Sequence, residues 1–483
     1  MPLTKRKLRK IRQKVYRENK PDILTDIYYV YDNPALMQDT YTAKCLTNKV
    51  LSNELHPNKL SGKKYPYTLS YTDIYKEIKR ETDEQQTQLY RKMHNSKAAQ
   101  GVIRRTVQSV TTTYKALKAY HQAPGKFTGK PRFPRYLRHP RTSFALNNQA
   151  FSVKEGYLRI HSYGFKTKVY QHYDRNNQEY DPVYKQITVM PIYHGVKLCC
   201  SYEAPASKPL KPDNGIYVGA DPGVNNFMAL ASNKNVQPLL INGRIMKSQN
   251  QWMNKEVARL RHQHSQEDQC TYEIKTKYGL ITRKVESHAV QKVFEKRNRQ
   301  IHAECHNAIM CVIAYMQSCG SNTGIVGKNK YWKQGSNMGK KNNQNFIGLP
   351  HALVIEKLQY RAAMEGLVVL TTNESYTSQT SFLDGEKPVR QNGNDARKKQ
   401  GKSPIKRRTS RGVFVPDINP KHRINADVNA AEQIIKKIVP MALIQYSRGI
   451  EGVVLQPIKV NPNDVSRVRK TDFEWHSHVS KQA

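Results

Sequence analysis

Apolar and polar positions along the chain alternate with distinct periods, and those periods mark its elements. Ile216, Tyr217 and Val218 form a short apolar run that reads as a buried strand. The run delivers Asp221 and breaks at Pro222-Gly223, and residues 227–231 resume as a second strand, the pattern of a tight hairpin. A third strand is expected over 236–241, where Pro238 argues for an edge position. Helical spacing follows over 247–263 (Met253, Val257, Leu260) and 287–317. A short strand at 325–327, a helix at 349–365 and an aliphatic strand at 367–370 come next. The last helix is expected over 427–438, capped by Asn425, with Val428, Ala431, Ile434 and Ile435 facing inward and Pro440 stopping it.

The N-terminal half has a different rhythm. Residues 70–122 read as helical: Ser70 and Asp73 suit a capping box, and Val102, Ile103, Val107, Val110, Tyr114 and Leu117 recur at helical spacing. Arg104, Arg105, Lys115 and Lys118 occupy the opposite face, a basic surface expected to contact a nucleic-acid duplex or to be simply solvated. The loop PGKFTGKPRFPRY follows, interleaving Lys126, Lys130 and Arg132 with Phe127, Phe133 and Tyr136, a mixture that suits single-stranded or distorted nucleic acid. Residues 144–205 alternate as strands and fit a small β-barrel, and Pro205, Pro209 and Pro212 mark a boundary.

Charge narrows the function. Eighty Lys and Arg against 38 Asp and Glu give a net charge of +42, which points to a polyanion partner, nucleic acid before a membrane surface. Residues 1–20 are densely basic and read either as a solvated tail or as an arm along a phosphate backbone. No apolar run is long enough to span a membrane, and no secretory or lipidation signal stands out. The seven Cys are scattered with no C-x-x-C, so neither a zinc ribbon nor a disulfide framework is indicated and a reducing cytoplasm is expected.

Three antiparallel strands, then helix, strand, helix, strand and helix, is the element order of a ribonuclease H-like fold, with its first strand in mid-sheet. That order brings Asp221, Glu374 and Asp427 to one sheet edge, as catalytic and metal-binding residues. Converging carboxylates recruit a hard divalent cation, Mg²⁺ or Mn²⁺. Two such ions can activate water and stabilise the leaving oxygen of a phosphodiester. Glu356 is the rival acid, but its mid-helix position suits a surface charge. His476-Ser477-His478 is attributed to chance.

GIYVGADPGVNN, ESYTSQTSFLD and INADVNAAEQI resemble the RuvC-like nuclease motifs of TnpB, the OrfB proteins of insertion sequences. The resemblance extends over roughly residues 70–440, through WMNKEVARL, EKRNRQIHAECHNAI and FTGKPRFPRY. It implies a prokaryotic RNA-guided DNA endonuclease, nucleoid-associated, related to compact type V CRISPR effectors, with a structured guide RNA and target double-stranded DNA as partners. The implied architecture is α+β and multidomain. A basic arm and the first part of a wedge-like β-barrel fill 1–69, a helical recognition lobe 70–122, and the rest of the barrel 123–212. A RuvC-like nuclease domain follows over 213–439 with a basic insert at 385–420, and then a tail, 440–483. Two departures stand out. The family's four-Cys zinc ribbon is replaced by a Cys-free basic loop, so zinc is not expected and Lys406, Arg407 and Arg408 are candidates for contacting nucleic acid. Lys328 occupies the usual position of the second acid, and Glu374 on the neighbouring strand is expected to replace it. The alternative is a nuclease-dead, RNA-guided DNA-binding repressor.

Overall fold

The computed structural model describes residues 4–55, 70–84, 89–173, 178–193, 195–263, 271–276, 279–284, 287–329, 348–389, 399, 412–418, 421–442 and 456–473. These form two compact units, one of Asp22–Pro205 and one of Met1–Pro21 with Ala206–Ala483.

The opening helix α1 (Lys5–Asn19) belongs to the second of these, the C-terminal unit. The solvated tail is thus not what forms: residues 5–19 are a helix with one packed face. Leu8 is buried in a cluster with Tyr217, Ile325, Val368 and Ile434, and Ile11 and Val15 pack against it. Leu8, Ile11 and Val15 recur at helical spacing inside the basic run, which gives the helix one apolar face.

The N-terminal unit contains β1 (Ile23–Val30), α2 (Pro34–Leu55), α3 (Tyr71–Glu84), α4 (Ser96–Gln122), β2 (Phe144–Asn147), β3 (Phe151–Lys154), β4 (Tyr157–Ile160), β5 (Phe165–Lys168), β6 (Tyr184–Ile192) and β7 (Gly195–Glu203). The expected barrel is instead an antiparallel sheet of order β1-β7-β6-β2 and a separate sheet β3-β4-β5. Helix α2 lies where barrel was expected. Its Leu36, Ala43, Leu46 and Val50 share one core with Ile103, Phe144, Leu146, Ile187 and Leu198. The capping box at Ser70 forms, with Asp73 N–H donating to Ser70 Oγ and Ser70 N–H donating to Asp73 Oδ2.

The C-terminal unit continues with β8 (Tyr217–Pro222), β9 (Asn226–Ser232), β10 (Leu239–Asn242), α5 (Arg244–Gln263), α6 (His288–Ser318), β11 (Thr323–Gly327), α7 (His351–Met364), β12 (Val368–Thr372), α8 (Ala426–Ile438), β13 (Ile458–Val460) and α9 (Val465–Lys470). The sheet order is β12-β11-β8-β9-β10-β13. β8 to β10 form an antiparallel meander, while β11 and β12 run parallel to β8. This is the ribonuclease H-like strand order expected from the sequence. One face packs Val218, Ala220 and Val326 on α6 and α7, and the other packs Tyr217, Ile325 and Leu370 on α8 and α1. β10 is not the edge. β13 pairs with it in parallel, and Ile458 N–H donates to the Pro238 carbonyl. The tail, unreadable from periodicity, thus completes the sheet.

Candidate active site

The parallel register fixes which residues meet at the C-terminal edge of the sheet. Ala220 is opposite Val326, Val326 opposite Thr371, and Gly327 opposite Thr372. Asp221 is the next residue on β8 and Glu374 lies two beyond β12. Gly219 faces α8, because a Cβ there would collide with the Ala431 backbone. Side chains alternate along a strand, so Asp221 faces the same side. Adjacent strands are about 4.8 Å apart, so β8 and β12 are separated by about 10 Å. Glu374 closes part of that gap. Its carboxylate leans back over Gly327 of the intervening strand, where a Cβ would come within 2.7 Å of Glu374 Oε2 and 2.9 Å of Ile434 Cδ1. The missing side chain of Gly327 is what admits the acid.

Asp427 reaches the same face from α8. Asn425 caps the helix by accepting hydrogen bonds from the N–H groups of Asp427 and Val428 (2.9 and 3.3 Å), and Asp427 stands in the first turn, where the helix dipole favours an anion. Asn226 Nδ2 donates to Asp427 Oδ2 at 2.8 Å. Glu374 is held likewise, Asn329 Nδ2 donating to Oε1 at 2.7 Å and Asn329 Oδ1 accepting from the Glu374 N–H at 3.2 Å. The three acids therefore share one face of one edge. They do not form a tight ligand cluster: among the described residues no three His, Cys, Asp or Glu side chains are close enough to hold a metal ion.

Glu374 is nonetheless fitted to a cation. Its Oε2 is buried with no hydrogen-bond partner. Burial raises its pKa to about 7, against a smaller downward pull from Lys437. Buried carboxylates in the N-terminal unit are treated differently: Asp26 accepts from Tyr184 and His172, and Asp39 from Tyr163 and His94. Glu432 also keeps an oxygen without a partner, but it is 1% exposed inside the core and burial raises its pKa.

Residues 197–332 match the sequence pattern of the OrfB IS605 family, described as a probable transposase, and residues 351–434 match that of the Cas12f1-like TNB domain. Over these two stretches the chain is TnpB-like. No curated protein matches it. Among solved structures, a Cas12f1–sgRNA–target DNA complex is similar at 15% identity, covering 83% of this chain and 81% of that one, with a TM-score of 0.42. A CRISPR-Cas12f ternary complex matches at 13% identity (83% and 80% covered, TM-score 0.33), and an AacC2c1–sgRNA binary complex at 10% (84% and 70%, TM-score 0.34).

In this TnpB-like chain Lys328 is exposed just past the end of β11, and its N–H continues the ladder by donating to Thr372 O at 2.7 Å. Glu356 is exposed on α7, opposite the buried Val354, Ile355 and Leu358. Several residues at the edge escaped the sequence reading. Asn226 and Asn329 orient two of the acids. Lys437, whose Nζ donates to Ser375 O at 2.5 Å, is the cation that acts on Glu374. His351 Nε2 lies 3.0 Å from the Gly223 carbonyl and its ring stacks on Phe227, pinning the turn after Asp221. Asn226 closes the first motif, GIYVGADPGVNN, as a polar residue, but nothing in its spacing pairs it with Asp427. A cleft of about 690 Å³ opens beside Asp427, and its lining includes Asn226, Asn425, Arg244, Lys459 and Arg467.

The candidates for nucleic-acid contact divide. Lys126, Lys130 and Arg132 are exposed. Arg104 lies over the Tyr71 ring at 4.9 Å. Arg105 is exposed as well, with Nη2 donating to Ser143 O at 2.6 Å. Phe127 and Phe133 pack edge-on against Tyr120 and Tyr114 of α4, so of the three loop aromatics only Tyr136 is strongly exposed. Lys406, Arg407, Arg408 and His476-Ser477-His478 lie outside the described residues. No helix among the described residues is long and apolar enough to cross a membrane.

Proposed function

We propose that the chain is an RNA-guided DNA endonuclease that hydrolyses phosphodiester bonds with Mg²⁺ or Mn²⁺ held by Asp221, Glu374 and Asp427. The observation that carries this reading is the Glu374 carboxylate leaning over Gly327 with one oxygen unpartnered. An acid supplied from strand β12 thereby stands over the strand on which the resemblance places Lys328. A bound divalent cation supplies the charge that activates water and stabilises the leaving oxygen. The chain's own residues supply the rest. Asn226 and Asn329 fix the rotamers of two acids, His351 holds the turn that follows the third, and Arg244, Lys459 and Arg467 offer phosphate contacts along the adjoining cleft. In this reading the exposed cations of the 124–136 loop contact nucleic acid, and zinc has no part. The charge of +42 makes binding steeply salt-dependent.

A second reading, guided DNA binding without cleavage, is favoured by one observation: Lys437 acts on Glu374 at an edge where, among the described residues, no three ligands gather closely around one ion position. One experiment separates them. The RNA that copurifies with the chain is sequenced, and the complex is given a duplex matching its guide segment in Mg²⁺ or Mn²⁺. An enriched structured RNA and a cut duplex support the endonuclease. An enriched RNA with a bound, intact duplex supports the repressor, and random degraded RNA removes both.

A further inference from the structure

The C-terminal unit has a second cleft, of about 790 Å³, between α1 and the segment 210–217 that leads into β8. Lys5, Arg9, Arg12 and Lys211 line it, against a single acid, Asp213. Asp213 is already engaged, accepting from Tyr217 Oη at 2.9 Å. Arg12 is the unusual member. Its residue is 2% exposed, and Nη2 donates only to the carbonyls of Lys211 and Asn322, at 2.9 and 3.3 Å. Its Nε has no partner, and it makes no salt bridge among the described residues. Asp213 acts on this guanidinium only through space and is already engaged by Tyr217, and a buried guanidinium with no ion-pair partner is a costly arrangement that an incoming anion relieves. Lys5 and Arg9 stand one helical turn apart on the same face, about 5–6 Å between Cβ atoms, so they present successive positive charges along one line. Tyr16 Oη, donating to Lys208 O at 2.5 Å, and the apolar contacts of Leu8 hold α1 in place.

The position selects the ligand. Tyr217 lines this cleft and Asp221 stands four residues on, so about 14 Å of strand separates the two. Phosphates held here are remote from the acids. We propose that this cleft and the cationic face of α1 bind the sugar–phosphate backbone of the resident structured RNA, as a second nucleic-acid site distinct from the cleft beside Asp427. The inference rests on the RNA-guided reading above.

The test is the triple variant Lys5→Ala, Arg9→Ala, Lys211→Ala in the full chain. All three side chains are exposed, so the fold is retained, and the unfolding midpoint checks this. Affinity for the copurifying RNA is measured from 50 to 200 mM salt. Loss of three phosphate contacts should lower the slope of log K against log salt by about 2.7, which shrinks the salt-driven affinity change over that range by about 40-fold. The charge-preserving variant Lys5→Arg, Arg9→Lys, Lys211→Arg should keep the parent slope. A triple variant that binds RNA with the parent affinity and slope overturns the proposal and leaves the RNA-guided reading standing. Unchanged RNA binding with weakened target-DNA binding assigns the cleft to DNA and also overturns it. A parent chain that retains no structured RNA overturns both.

Discussion

Replacing Glu374 by Gln isolates the cost of keeping this acid at the sheet edge. The carboxyl has a pKa of about 7 in the folded chain against a reference of 4.5. Between those values the native state holds a proton that the unfolded chain has released, so stability falls as pH rises and the loss is complete above about pH 7. The difference of about 2.5 in pKa (7 − 4.5) corresponds to about 3 kcal/mol at about 1.36 kcal/mol per unit. Gln has the same shape, keeps the contact with Asn329 and is neutral at every pH. Glu374→Gln should therefore match the parent below about pH 4.5 and exceed it by about 3 kcal/mol at about pH 8. Denaturant unfolding at several pH values from about 5 to about 8 in EDTA measures the difference, from which the other titrating groups cancel. Millimolar Mg²⁺ should then stabilise the parent at the alkaline end but not the variant, because a ligand that binds only the native state raises its stability. A difference that is the same at both ends of that range would refute the argument, since it would mean that burial does not set the charge of Glu374.

Three further substitutions test the packing around the edge. Gly327→Ala places a Cβ 2.7 Å from Glu374 Oε2, so cleavage should fall at least about 100-fold while stability drops by only about 1–3 kcal/mol, read by cleavage rate and unfolding midpoint. Gly219→Val drives a branched side chain into the Ala431 backbone and should lift α8 off the sheet, costing more than about 4 kcal/mol and showing as loss of soluble, folded protein. Lys459→Ala with Arg467→Ala should lower the salt slope of target-strand binding by about 2 and leave RNA retention unchanged, because both line the cleft beside Asp427.

The order of the sheet was legible because each of its strands and helices carries its own period: the apolar runs of β8, β11 and β12 and the spaced Val428, Ala431, Ile434 and Ile435 of α8. The cap at Asn425 was legible for the same reason, being a local hydrogen bond with a fixed residue preference. Asp221 and Asp427 could be placed from the elements that carry them. The lean of Glu374 over Gly327 could not, since it depends on a missing Cβ on a neighbouring strand 47 residues away in sequence (374 − 327). Helix α1 was masked by its charge, although Leu8, Ile11 and Val15 sit at helical spacing within it. β13 is three residues long and gains its place only by pairing with β10, a non-local contact with no periodic signal. Asn226, Asn329 and His351 are single polar residues whose roles come from partners at least 45 positions distant.

The proposed endonuclease needs Asp221, Glu374 and Asp427 to act together in cutting DNA, with no part for Glu356. Guided cleavage is measured for Asp221→Ala, Glu374→Ala, Asp427→Ala and Glu356→Ala, with target binding measured alongside. The first three should each abolish cleavage with binding nearly intact, combining them should add little further loss, and Glu356→Ala should cut at the parent rate. Cleavage at the parent rate by Glu374→Ala, with loss in Glu356→Ala, would contradict that assignment.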